Sequence, residues 1–131
     1  MIRGSCLCGA VSFEISGGLD QASHCHCSMC RKAHGAAFGS YVGVQKSALR
    51  WLSGERDIAR YASSPDVTRT FCSICGSTLQ YLHRAQPERF ALALGVLDDD
   101  PGVRPALHMF VADKAPWYEI KDQLPQFPGD A

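Results

Sequence analysis

The sequence predicts a mainly β domain: small sheets joined by tight turns, with one or two short helical turns. Three observations carry that reading. Apolar residues recur with a period of two in short stretches. Clusters of Gly, Pro, Ser and Asp separate those stretches. The seven cysteines fall into tight groups, which suit metal pins better than disulfides. At 131 residues, 46% apolar and 20% charged, the chain matches one globular domain over residues 1–131.

In chain order, residues 10–15 alternate Val11, Phe13 and Ile15 against small or polar neighbours, as a half-buried strand does. Residues 37–44 are mostly apolar but carry Gly39 and Gly43, which suits a buried strand with a close backbone approach. Residues 49–52, 58–62, 68–71, 78–82, 90–94 and 107–111 are further short strands. The turns between them are Ser53-Gly54-Glu55, Ser63-Ser64-Pro65-Asp66 and Ala85-Gln86-Pro87. Residues 30–35 fit one or two helical turns, and the stretch after Gly95 fits another. Residues 122–131 read as an irregular tail, because Pro125 and Pro128 cannot donate to a ladder. Many short strands with a modest core would gain from metal pins.

The N-terminus runs straight into a cysteine motif, with no room for a signal peptide, so a reducing, cytoplasmic location is expected. No apolar run reaches the roughly 20 residues of a membrane helix. The formal charge is zero, and seven thiolates around two divalent ions would make it slightly negative. That balance argues against nucleic-acid partners, which demand basic patches.

Two cysteine pairs, Cys6-Leu7-Cys8-Gly9 and Cys72-Ser73-Ile74-Cys75-Gly76, are half-sites far apart in sequence. Each ends in Cys-Gly, where glycine lets the chain turn and bring amides towards sulfur. Together they give four soft ligands for a tetrahedral ion, with zinc the usual occupant. Such a saturated set holds structure. The remaining three, in Cys25-His26-Cys27-Ser28-Met29-Cys30, are packed into six residues and have no fourth cysteine to join them. Three protein ligands with an exchangeable fourth is the pattern of catalytic zinc. His24 or His26 would close the site if either reached the ion, although each is adjacent to a ligand cysteine.

Charge restricts the chemistry of that second ion. Three thiolates leave Zn²⁺ with a net charge of −1, a poor Lewis acid for activating water. A soft, electron-rich centre suits an external thiol held as a nucleophilic thiolate. The expected substrates are a small thiol and an aldehyde, and the expected step makes or breaks a carbon–sulfur bond.

The motifs Gly4-Ser5-Cys6-Leu7-Cys8-Gly9-Ala10-Val11, Cys25-His26-Cys27-Ser28-Met29-Cys30-Arg31-Lys32 and Phe71-Cys72-Ser73-Ile74-Cys75-Gly76-Ser77 resemble the glutathione-dependent formaldehyde-activating enzyme family, which also includes centromere protein V. His108-Met109-Phe110-Val111 and Lys114-Ala115-Pro116-Trp117-Tyr118 look like its closing signature. The resemblance implies a β-tent fold of zinc-pinned sheets. It implies one structural zinc on Cys6, Cys8, Cys72 and Cys75, and one catalytic zinc on Cys25, Cys27 and Cys30. The associated reaction condenses glutathione with formaldehyde to S-(hydroxymethyl)glutathione, a carbon–sulfur lyase activity run in reverse.

Other residues carry weaker expectations. Arg31 and Lys32 follow the three-cysteine motif and would meet a carboxylate of glutathione, or else form solvated surface charge. Trp51 and Trp117 would wall a pocket or simply be buried. His34, four residues after Cys30, lies within a helical turn of it, as a supporting group, a proton donor or a surface histidine. His108 reads as a satisfied core histidine. Residues 98–101, Asp98-Asp99-Asp100-Pro101, read as a solvated turn.

Overall fold

A computed structural model describes all of residues 1–131. In chain order it contains β1 (Ile2–Ser5), β2 (Ser12–Ile15), β3 (Ala22–Cys25), α1 (Ser28–His34), β4 (Gly39–Gln45), β5 (Leu49–Ser53), β6 (Ile58–Ser64), β7 (Val67–Cys72), β8 (Thr78–His83), β9 (Arg89–Ala93) and β10 (Pro105–Met109). Short 3₁₀ turns make up the rest of its helix. The fold is mainly β, as the alternating pattern and frequent turns require.

The strands form two sheets. A three-stranded sheet has the order β1-β2-β5, with Ile2 opposite Ile15 and Phe13 opposite Trp51. A seven-stranded sheet has the order β10-β3-β4-β9-β8-β7-β6. Only the β10–β3 pair in it is parallel. Phe13 and Ile15 from the small sheet meet Ala22, Val42, Val44, Phe90 and Leu92 from the large one, and none of these is more than 6% exposed. This core lies between the sheets. Residues directly opposite in an antiparallel pair share a face. Val42 opposite Leu92 and Val44 opposite Phe90 therefore define the core face of the large sheet. Gly39 opposite Cys25, Tyr41 opposite Ala93, and Arg69 opposite Tyr81 define its other face.

Two strands were not expected from the pattern. β1 and β3 are only four residues long, and Arg3, Ser23 and His24 break their apolar run. β3 is a strand because β4 and β10 flank it on both sides. The stretch after Gly95 adds no helix beyond one 3₁₀ turn, Leu94–Val96. Asp98 and Asp99 are not merely solvated. Asp98 accepts from Ser5 Oγ at 2.8 Å, and Asp99 from the Arg3 amide at 2.8 Å, which anchors the outer edge of β1.

The last ten residues run beside β10. The His108 amide donates to the Pro125 carbonyl at 2.9 Å, and the Phe127 amide donates to the His108 carbonyl at 2.9 Å. The prolines supply acceptors alone, so a single bridge, His108 to Gln126, is all the ladder this segment makes.

Candidate metal centres

The hairpin between β1 and β2 carries Cys6 and Cys8, and the turn between β7 and β8 carries Cys72 and Cys75. The fold brings these four sulfurs within 4.8 Å of one another. Cys6 Sγ lies 3.6 Å from Cys8 Sγ, and Cys8 Sγ 3.9 Å from Cys72 Sγ. A disulfide needs about 2.05 Å. Tetrahedral bonds of about 2.3 Å put sulfurs about 3.8 Å apart, so the spacing fits zinc.

The surrounding amides say the same. Val11 N–H donates to Cys6 Sγ at 3.3 Å, and the Ile74 and Cys75 amides reach Cys72 Sγ at 3.4 and 3.5 Å. Sulfurs that collect N–H donors are built to be thiolates. The Ser77 hydroxyl and amide hold the Cys75 thiol down to about 5. Gly9 and Gly76 follow the pairs with φ of +80° and +81°, the left-handed turn that the two Cys-Gly steps implied. The set joins the small sheet to the large one.

The other three sulfurs, of Cys25, Cys27 and Cys30, also lie within 4.8 Å of one another. Cys25 ends β3. Cys27 caps α1, its Sγ accepting from the Cys30 amide at 3.3 Å, and Cys30 sits in the first helical turn. One sulfur thus fixes the helix and completes the cluster. Cys25 and Cys30 are 6% and 3% exposed, packed against Tyr41, Met109 and Phe110. Phe110 sits at φ 57°, a rare conformation for an aromatic residue, held as its amide N–H donates to the Gly129 carbonyl at 2.8 Å. Hydrogen bonds from Cys25 and then Cys30 hold the Cys27 thiol well below its ordinary value.

No histidine nitrogen or carboxylate oxygen joins this trio. His24 Nδ1 is engaged by Ser40 Oγ at 2.8 Å, and His26 Nε2 by His108 Nδ1 at 2.8 Å. His108 Nε2 in turn lies 2.9 Å from Asp122 Oδ2. The carboxylate fixes the tautomers: His108 donates from Nε2 to Asp122 and accepts at Nδ1 from His26. His26 Nδ1 is left buried without a partner. Burial pushes the His26 imidazole down to about 4, so it is neutral.

A second cluster surrounds Cys30, and it was not expected from the motifs. The Tyr41 hydroxyl donates to Cys30 Sγ at 3.6 Å and accepts from His34 Nε2 at 2.8 Å and Arg69 Nη1 at 3.0 Å. Arg69 Nη2 also reaches Cys30 Sγ at 3.6 Å. Burial pushes the Tyr41 phenol well up, so it stays protonated. His34 thus connects to Cys30 through the Tyr41 hydroxyl, with Nε2 committed to it. Arg69 and Tyr41 are 28 positions apart and meet only across β4, β9, β8 and β7. The one local signal was a lone arginine inside the strand pattern at residues 68–71.

The remaining candidates are dispersed. Arg31 Nε turns back to the His26 carbonyl at 3.4 Å. Lys32 is exposed, two positions past Cys30 on α1 and so on the opposite side of that helix. Trp51 packs edge-on against Phe13, with ring centroids 5.6 Å apart, and Trp117 is 69% exposed. A cavity of about 660 Å³ lies beside Trp51, Leu82 and Phe90, and no cysteine lines it.

Similar known proteins give this geometry a context. The profile of the family described as glutathione-dependent formaldehyde-activating enzyme matches residues 1–113. An uncharacterized lyase of Schizosaccharomyces pombe is 24% identical over 128 residues, covering 98% of this chain and 91% of its own. A Halomonas elongata protein, provisionally named a glutathione-dependent formaldehyde-activating enzyme, is 29% identical over 130 residues, covering 94% of this chain and 83% of its own. The crystal structure of a Rhodobacter sphaeroides protein superposes with a TM-score of 0.63 at 28% identity, over 79% of this chain and 91% of that one. The long profile match, which takes in all seven cysteines, places the chain in the glutathione-dependent formaldehyde-activating enzyme family.

Proposed function

We propose that this protein is a zinc-dependent carbon–sulfur lyase-type enzyme that joins a small thiol, glutathione or a relative, to an aldehyde such as formaldehyde. The observation that carries the reading is the unequal division of sulfur: four gather in one cluster and three in the other, with no nitrogen or oxygen ligand added to the three. Cys6, Cys8, Cys72 and Cys75 would hold the structural ion, and Cys25, Cys27 and Cys30 the catalytic one. Zinc bound to the trio supplies a soft Lewis acid that keeps an incoming thiol as thiolate.

The chain's own groups do the rest. The Tyr41 hydroxyl and the Arg69 guanidinium both donate to Cys30 Sγ, which withdraws electron density from that sulfur. Cys30 is thereby made a poor nucleophile, and the external sulfur becomes the one that attacks. Met109 and Phe110 pack against the buried sulfurs of Cys25 and Cys30 and keep water from their flank. Arg31, next to Cys30 on α1, places one cation near the trio, suited to a carboxylate of a thiol peptide, whereas Lys32 lies on the far side of that helix. In the reaction the thiol gives its proton to water, the resulting thiolate sulfur bonds to the carbonyl carbon, the carbonyl π pair moves to oxygen, and oxygen takes a proton back from water. No oxidant or reductant enters.

The test is the rate of S-(hydroxymethyl)glutathione formation, followed by NMR exchange with and without protein. Zinc-loaded protein should accelerate exchange, and a folded Cys27→Ser variant should not. Glutathione binding without acceleration would mark a thiol carrier or sensor. Neither binding nor acceleration would mark a structural zinc module for protein interaction.

A further inference from the structure

Arg69 is a buried cation without a carboxylate. It is 8% exposed, whereas Arg50, Arg84, Arg89 and Arg104 are each ion-paired with an acidic side chain. Each nitrogen of its fork has a partner all the same. Nε donates to Ser63 Oγ at 3.2 Å, Nη1 to Tyr41 Oη at 3.0 Å, and Nη2 to Cys30 Sγ at 3.6 Å. Its Cζ lies 5.2 Å from the centroid of the Tyr81 ring. A guanidinium keeps its charge at any working pH. Burying one without a counter-charge costs several kcal/mol in general, so a partner anion is required. Ser63 and Tyr41 present neutral hydroxyls. The sulfur is the one partner able to carry negative charge.

We propose that Arg69 is the counter-ion of the three-cysteine centre, a positioning residue that sets how tightly this centre holds its metal and which charge it accepts as fourth ligand. The proposal rests on the reading above that the trio binds zinc. Three thiolates around a divalent ion leave one negative charge, and Arg69 cancels it. With that charge cancelled, an anionic sulfur joins a neutral group. Without Arg69 it would join a negative one, and neutral water would be favoured instead. The planar fork matters as well as the charge, because one guanidinium reaches Cys30 Sγ and Tyr41 Oη at once. A lysine at this position brings a point charge without that geometry.

The experiment is competition for zinc against a chromophoric chelator, with wild type, Arg69→Met, Arg69→Gln and Arg69→Lys. Wild type should show two sites. Arg69→Met should leave the tighter, four-cysteine site unchanged and weaken the other about tenfold to a hundredfold, the range seen when a group supporting a metal ligand is lost. Arg69→Lys should recover most of that loss. Arg69→Gln keeps a donor for Tyr41 and should show the same loss as Arg69→Met, which preserves the test if the methionine variant does not fold. A second site within twofold of wild type in a folded Met or Gln variant overturns the counter-ion assignment and leaves the metal reading standing. A single zinc site in wild type overturns both.

Discussion

Removing one oxygen, in Tyr41→Phe, gives the sharpest view of the cluster around Cys30. That oxygen makes three hydrogen bonds: one given to Cys30 Sγ, one taken from His34 Nε2 and one taken from Arg69 Nη1. Phenylalanine keeps the ring, so no cavity forms. It leaves two N–H donors without an acceptor. Each stranded buried donor costs about 1–3 kcal/mol. Arg69 falls at the upper end because it is charged and 8% exposed, and His34 at the lower end because it is only half-buried. The sum is about 4 kcal/mol, or a melting temperature about 15 °C lower for a chain of this length. Circular dichroism melts of zinc-loaded protein would read it. Tyr81→Phe is the control, since the Tyr81 hydroxyl makes no hydrogen bond while its ring sits 6.1 Å from that of Tyr41. A Tyr41→Phe melt within 2 °C or so of wild type would refute the triple role of the oxygen.

Gly54 has φ +73°, and a Cβ there would strike the Ala10 carbonyl, with the Ala10 carbon at 2.7 Å. Gly54→Ala should cost well over 2 kcal/mol, because backbone strain adds to a clash that backbone cannot relieve. Gly102→Ala, at φ +77° with nothing nearby, should cost only about 1 kcal/mol in the same urea titration. His26, held down to about 4 in the fold, titrates near 6.5 when unfolded. The unfolded chain therefore binds more protons between those values, and stability should fall as pH drops from about 6.5 towards 4. Urea midpoints at pH 7.5, 6 and 5 check this. His26→Asn should flatten the slope, and an equally steep slope in that variant would assign it elsewhere.

Legibility in the sequence followed distance along the chain. The cysteine motifs were readable because each half-site is local: two or three residues and a glycine specify a knuckle, and only their pairing needs the fold. Strands such as β2 and β5 were readable because their core face alternates with polar residues. β3 was not, since Ser23 and His24 occupy a four-residue strand whose stability comes from neighbours on both sides. The groups around Cys30 were the least readable. Tyr41, Arg69 and Tyr81 come from three strands and share a face only through the registers of β4 with β9, β9 with β8, and β8 with β7. A shift of one residue in any of those pairings would turn Arg69 towards the core instead. The same applies to Asp122, His108 and His26, whose hydrogen-bonded chain depends on where the C-terminal segment lies.

The count of zinc per chain bears most directly on the division of sulfur into four and three. Protein purified under reducing conditions and analysed by mass spectrometry under native conditions should carry two zinc ions. A folded Cys27→Ser variant should carry one. Wild type with a single ion, or Cys27→Ser with two, would contradict the account.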